Sequence, residues 1–220
     1  QEPLRKIQAF SRRILDSETG NLSDTGKDYF NRMQSAAARM RTLIDDLLAF
    51  SRLNISERKF EYTDLNKIVE EVKAELKEAI EEKHAIVEAK NLCEVSIIPF
   101  QFRQIMYNLI SNAIKFSKSE LTPCIIIKSK MVQGNTLSEE LLTAEEYCHI
   151  SVSDNGIGFD QKYKDHIFEV FKRLHSKEEY AGTGIGLSIV KKAVDNHNGL
   201  INATSIPDKG TTFNIYIPVR

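Results

Sequence analysis

The sequence predicts two unlike parts, an all-α helical hairpin followed by an α+β sandwich. Three observations carry this. Residues 1 to about 54 hold almost no strand pattern and repeat their apolar residues at threes and fours. A polar stretch, Asn54 to Lys59, then reads as a linker. Beyond it, strand and helix patterns mix without regular alternation and finish in a hairpin. That order suits a mixed sheet layered under helices rather than a doubly wound fold. The expected domains are 1–54 and 60–220.

Gln1 to about Ser17 reads as a short helix with Leu4, Ile7, Ile14 and Leu15 inward. Gly20, Asn21, Ser23 and Gly26 separate it from a long helix beginning near Tyr29. There Phe30, Met33, Ala37, Met40, Ile44 and Leu47 form one stripe, and Tyr29, Ala36, Leu43 and Phe50 form a second with heptad spacing. One hairpin cannot bury two such faces alone. A second copy would complete a four-helix bundle, so a homodimer through residues 1–54 is expected. The alternative is a hairpin packed only on its own C-terminal part.

In the second part, Phe60 to Tyr62 is a short strand. Asp64 caps a helix running to about Lys83, with Leu65, Ile68, Val69, Val72, Leu76 and Ile80 on one face. Ala85 to Ala89 and Val95 to Ile98 are strands, and Phe100 to Phe116 is a helix. Ile125 to Val132 and Tyr147 to Val152 are strands joined by a polar insertion containing Gly134 and Asn135. Gly184 to His197 is a helix, and Leu200 to Ser205 and Thr211 to Pro218 are the last strands.

Composition excludes several classes. A net charge of −1 over 220 residues lacks the basic surface of a dedicated nucleic-acid binder. No apolar run reaches the ~18 residues that span a bilayer, so no membrane contact is expected within the chain. No signal peptide opens it. Cys93, Cys124 and Cys148 are odd in number and lack C-x-x-C spacing, which argues against a disulfide framework or a zinc site. A cytoplasmic setting is expected.

The chemistry concentrates in three segments. Asn108, Asn112 and Lys115 stand at i, i+4 and i+7 on one helix face. Asn is a poor helix-interior residue, so two at this spacing suggest a use. A carboxamide oxygen suits magnesium, which takes few protein ligands beside phosphate oxygens. Asp154-x-Gly156-x-Gly158 follows a strand; the carboxylate can accept from an exocyclic amine, and the glycines clear space for a purine. A plain turn is the bland alternative. A calcium loop fails because Gly156 sits at the third position, not the sixth. Gly182-Thr183-Gly184-Ile185-Gly186-Leu187 opens a helix, where free amides and the helix dipole favour an anion. Phe159 to Ala181 is too long for an economical connection and reads as a lid, pinned by Phe168 and Phe171. Arg173 can reach a terminal phosphate or stand solvated. His166 and His175 read as lid surface. The Thr211 hydroxyl can support the base through water.

In order, the chain carries an N-L-x-x-N-A-x-K helix, D-x-G-x-G, F-E-x-F-x-R, G-T-G-I-G-L and a terminal G-T-x-F strand. It resembles the transmitter region of bacterial sensor histidine kinases, whose ATP-binding domain has the Bergerat fold shared with gyrase-type ATPases. The resemblance covers essentially the whole sequence. It implies Asn112 as the Mg2+ ligand with Asn108 beside it, Lys115 and Arg173 near the phosphates of ATP, and Asp154 on adenine. It implies Gly182, Gly184 and Gly186 as lid hinges, and residues 1–54 as the dimerisation and histidine-phosphotransfer hairpin. The implied reaction moves the γ-phosphoryl group of ATP to a histidine, then to an aspartate on a response-regulator receiver domain. Such kinases carry the acceptor histidine five residues before a proline. Pro3 matches that proline, which places the histidine three residues before Gln1, and none of the five histidines lies on either hairpin helix. Glu2 stands where many relatives carry Thr or Asn, which puts a phosphatase activity in doubt. A non-catalytic nucleotide-gated module and a gyrase-like ATPase remain as other readings. The ATPase would need a carboxylate where Asn108 stands.

Overall fold

The computed structural model describes residues 2–55, 59–134, 146–174, 180 and 182–219, apart from the side chains of Arg52, Asn54 and Ile55. Residues 56–58 of the linker, the polar insertion from Asn135 and residues 175–179 and 181 at the C-terminal end of the expected lid, His175 and Ala181 among them, lie outside the described residues.

The hairpin pairs α1 (Glu2–Glu18) with α2 (Asp24–Ile55). The second helix starts earlier than its apolar stripe suggests. Ser23 Oγ accepts from the Gly26 N–H at 3.1 Å, capping a free first-turn donor, so Gly26 sits inside the helix. Ala37 is buried between the helices, whereas Phe10, Tyr29, Met33, Met40, Leu43 and Leu47 stay exposed. The pair therefore leaves an apolar stripe uncovered.

The second part opens with β1 (Glu61–Asp64), α3 (Leu65–Glu75), α4 (Lys77–Glu82), β2 (Ile86–Ala89) and β3 (Glu94–Ile97). It continues with α5 (Pro99–Lys115), β4 (Cys124–Gln133), β5 (Glu146–Asp154), α6 (Gly186–Asn196), β6 (Leu200–Ile206) and β7 (Gly210–Pro218). Five strands form a mixed sheet in the order β2-β4-β5-β7-β6, and β1 pairs with β3 in a separate two-stranded sheet. Only β2–β4 is parallel in the larger sheet; β4–β5, β5–β7 and β6–β7 are antiparallel, with Ile150 opposite Ile215. Buried positions alternate along β6 and β7, so one sheet face meets the helices. Ile127, Ile150 and Ile215 from the sheet share a core with Val69, Phe102, Ile105, Leu109, Ile189 and Val190 from the helices.

Asp64 caps α3 as its type suggests, accepting from the Asn66 N–H at 2.9 Å. The single helix expected up to Lys83 is two. Leu76 leaves helical geometry (φ −91°, ψ 10°) while its side chain stays in the core. Two buried polar clusters fix the helices. An N–H only donates, so His197 Nε2 must accept from the Ile98 N–H at 2.9 Å, which leaves the ring proton on Nδ1 for Ala193 O at 2.7 Å. Asn196 Nδ2 donates to Gln101 Oε1 at 3.1 Å and to the Leu53 carbonyl at 3.0 Å. Leu53 itself is 1% exposed inside the sandwich core, so the last turns of α2 pack into the second part.

Candidate functional site

A cavity of about 350 Å³ opens between α5, the N-terminus of α6 and the end of β5, within the size range of small-molecule sites. Its two ends differ in chemistry.

At one end stands Asp154, the last residue of β5. Its Oδ1 accepts from the Gly156 N–H at 2.8 Å and the Thr211 N–H at 3.3 Å. Burial pushes its carboxyl above the ordinary range, and those two amides oppose the rise. The flanking wall is apolar, with Ala113, Ile157, Phe159, Leu187 and Phe213. A buried acceptor beside a flat apolar slot suits a heteroaromatic ring bearing an amine. Gly158 lies on the wall at φ +60°, where a Cβ would run into the Ile206 carbonyl. Gly156 is not on the wall. It backs the carboxylate, and a Cβ there would come within 2.7 Å of Phe116 O. Thr211 contributes its backbone; its hydroxyl lies 2.9 Å from Ser205 Oγ.

At the other end are Asn112, Lys115, Gly182, Thr183 and Gly184. Lys115 is half-buried. Burial, then the neighbouring Arg173, draw its pKa down, and Asp46 pulls it back up. Its ammonium lies 4.4 Å from the centre of the Phe116 ring and packs against Gly182. Among the described residues the Asn112 carboxamide has no protein hydrogen-bond partner, so it is open to a ligand. Asn108 is committed elsewhere. Its Nδ2 donates to Gln104 O at 2.8 Å, and its Oδ1 lies where any Cβ on Gly186 would fall, 2.7 Å away. That close approach seats the α6 N-terminus on α5. Arg173 lines this end of the cavity as well. Its guanidinium donates to Gly182 O at 2.8 Å and Tyr180 O at 2.6 Å, bracing the glycine segment. Of the two aromatics expected to pin the lid, Phe168 meets Phe213 edge to face at 6.4 Å, but Phe171 is 63% exposed at φ +64°.

Two contributors came from far away in sequence. Thr42 and Asp46 of α2 reach the cavity, and Thr183 Oγ1 donates to the Asp46 carboxylate. No local pattern in the hairpin marks them. No group of three or more His, Cys, Asp or Glu able to hold a metal occurs among the described residues. A single open carboxamide in the same cavity as the Lys115 ammonium still fits magnesium, which draws most of its ligands from water and phosphate.

A mixed sheet under helices, with its cavity between an asparagine-bearing helix and a glycine-opened one, defines an ATP-binding sandwich of the Bergerat type. Residues 98–220 match the family of histidine kinase-, DNA gyrase B-, and HSP90-like ATPases, and residues 1–55 match the His Kinase A (phospho-acceptor) domain. The chain belongs to this ATPase family and, with both units in that order, is the transmitter region of a sensor histidine kinase. It is 33% identical over 219 residues to the phytochrome-like protein Cph1 of Synechocystis sp., spanning 100% of this chain and 28% of that protein. It thus covers little more than a quarter of the length of such relatives. Full-length ShkA in complex with AMPPNP shares the fold with a TM-score of 0.68 at 20% identity, over 100% of this chain and 43% of that one. ThkA in complex with response regulator TrrA superposes with a TM-score of 0.63 at 21% identity, over 100% and 59%. Among the described residues no helix is long and apolar enough to cross a membrane.

Proposed function

We propose that this chain binds ATP and acts as a protein histidine kinase, passing the γ-phosphoryl group to a histidine imidazole and from there to a response-regulator aspartate. The observation that carries this is the polarity of one cavity. A buried carboxylate beside an apolar slot occupies one end; a lysine, an open carboxamide and a glycine-opened helix N-terminus occupy the other. In this reading Asp154 accepts the adenine amine, and Gly158, Leu187 and Phe213 enclose the ring. Lys115 and the amides of Gly182 to Gly186 face the phosphates. Asn112 would hold Mg2+, which when bound neutralises charge on the phosphates. Arg173 acts through the loop it braces, as a positioning residue rather than a phosphate contact.

Transfer of this kind depends on alignment and charge stabilisation more than covalent help from the protein. Lys115 stabilises the leaving diphosphate. Neither α1 nor α2 carries a histidine. The uncovered stripe of Met33, Met40, Leu43 and Leu47 supports a homodimer through residues 1–54, with residues 60–220 as the catalytic unit. A response-regulator partner is favoured by the fold shared with ThkA. The setting is cytoplasmic. A gyrase-like ATPase is disfavoured because Asn108 replaces the carboxylate that would activate water, and its amide is already tied to Gln104.

The test mixes this chain, labelled ATP and a separate hairpin bearing a histidine before its Glu-Pro or Asp-Pro step. Acid-labile, base-stable label on the hairpin supports the kinase. Phosphate release without label supports the ATPase, and binding with neither supports a non-catalytic module.

A further inference from the structure

Two of the three thiols lie together, and neither lines the nucleotide cavity. Cys148 stands on β5, fully buried in the sandwich core. Cys93 lies just ahead of β3 and is half-buried. Its main-chain N–H donates to Ser129 Oγ at 2.6 Å. Ser129 faces Ile150 across the β4–β5 ladder, and Cys148 is two residues from Ile150, so Ser129 and Cys148 are diagonal neighbours on one sheet face. That bond sets Cys93 down over Cys148, and the two thiols meet in a side-chain hydrogen bond. The backbone around Cys93 is fixed from both sides. The Leu92 N–H donates to Asn66 Oδ1 at 3.2 Å, and the Cys93 carbonyl accepts from the Leu65 N–H at 3.3 Å. Both thiols are free, so nothing yet joins them covalently. Cys124 is an internal contrast. It precedes the buried Ile125 on β4 and so lies on the opposite sheet face.

We propose that Cys93 and Cys148 are a modification site for a two-electron oxidant of the peroxide class, closing to a disulfide that joins the two sheets of the sandwich. The proposal is independent of the nucleotide reading. Cys93 is the accessible partner and meets the oxidant. Its sulfur attacks one peroxide oxygen and the O–O bond breaks. The sulfur becomes a sulfenic acid, and the second oxygen departs as water with the thiol proton. The Cys148 sulfur then attacks the Cys93 sulfur. The S–S bond forms, the S–O bond breaks, and the departing hydroxyl takes the Cys148 proton as a second water. Two thiols lose two electrons, and one peroxide is reduced to two waters. Burial, then the neighbouring Cys93, pushes the Cys148 thiol up, so it is a weak nucleophile toward anything in solution. Contact with Cys93 compensates, because a held pair reacts as though highly concentrated. Thiol reductants reopen the bond, so the change is reversible. While closed, it ties the start of β3 to β5 and leaves the cavity lining untouched.

The test treats the full chain with hydrogen peroxide, unfolds it in iodoacetamide and maps the peptides by mass spectrometry. The expected product is a linked pair of peptides carrying Cys93 and Cys148, lighter by two hydrogens than their sum, with Cys124 alkylated. Dithiothreitol should restore three alkylable thiols. Cys93→Ser should abolish the link, and Cys124→Ser should keep it. The linked chain should melt roughly 5–10 °C higher than the reduced one, because the bond removes freedom from the unfolded chain; Cys93→Ser should show no such rise. The wild-type link is read without any variant having to fold. Three alkylated cysteines after oxidation, a Cys93 carried to sulfinic acid with no link, or a link made only through Cys124 overturns the proposal. A Cys93–Cys148 link with no rise in melting temperature overturns the tie between the sheets.

Discussion

Replacing Asp154 with Asn separates what this residue does for the ligand from what it does for the fold. Asn is isosteric, and its Oδ1 can keep the bonds from Gly156 N–H at 2.8 Å and Thr211 N–H at 3.3 Å. Its second group becomes a donor. An adenine amine would then face a donor instead of a carboxylate oxygen. Losing a hydrogen bond to a charged acceptor costs about 1.5–3 kcal/mol, and the unmatched donors add to that. A net loss of about 3 kcal/mol is roughly 150-fold in Kd. Stability should move the other way. Burial raises the Asp154 pKa above its ordinary 3.8, so the folded state prefers the protonated acid. That preference stabilises the fold at low pH and is lost as pH rises through the folded-state value, leaving an ionised group that weakens the fold at neutral pH. Asp154→Asn removes the charge, so its thermal midpoint should hold or rise. Calorimetry with adenosine and a thermal melt of the same sample read both effects. Affinity within twofold of wild type would refute the adenine role. Lost affinity with a large fall in melting temperature would show that the carboxylate serves the fold instead.

Three more outcomes follow from the same contacts. Adenosine affinity should fall on acidification through the raised Asp154 pKa, at a pH above the ordinary 3.8, and Asp154→Asn should flatten that profile. Lys115→Met keeps an apolar stem over Phe116 but removes the charge; affinity for an ATP analogue should drop about tenfold, by loss of one charge-assisted bond, while adenosine binding stays constant. His197→Ala removes a buried ring bonded through both nitrogens and leaves the Ile98 N–H without its acceptor. Urea unfolding should show a loss of about 3 kcal/mol, and a loss under about 1 kcal/mol would show that this ring does not hold α5 to α6.

Local chemistry was readable in the sequence, and long-range chemistry was not. Asp64 caps α3 because an acidic side chain before an apolar-periodic run has a free amide within reach. The Asp154 and Gly158 placements followed from a strand end running into a glycine-spaced turn. Leu76 gave no warning of the break between α3 and α4, since its apolar side chain suits an unbroken stripe and no Gly or Pro stands there. Arg173 read either as a solvated side chain or, through the family resemblance, as a neighbour of the phosphates; the carbonyls that it engages belong to a loop whose path depends on tertiary packing. Asp46 was invisible for the same reason. It is one acidic residue on a helix read for its apolar stripe, and only the seating of α2 carries it to Thr183. Asn108 shows a third case: its position was legible, but its duty is to pass a neighbouring backbone closely at Gly186.

The burial of Leu53 bears on how the molecule can be taken apart. A fragment begun at Phe60, where sequence composition changes, would leave an open greasy hole beside α6 and strip Asn196 of one acceptor. Such material should be prone to clumping. Starting the fragment two turns ahead of Leu53 would carry the plug along with its socket.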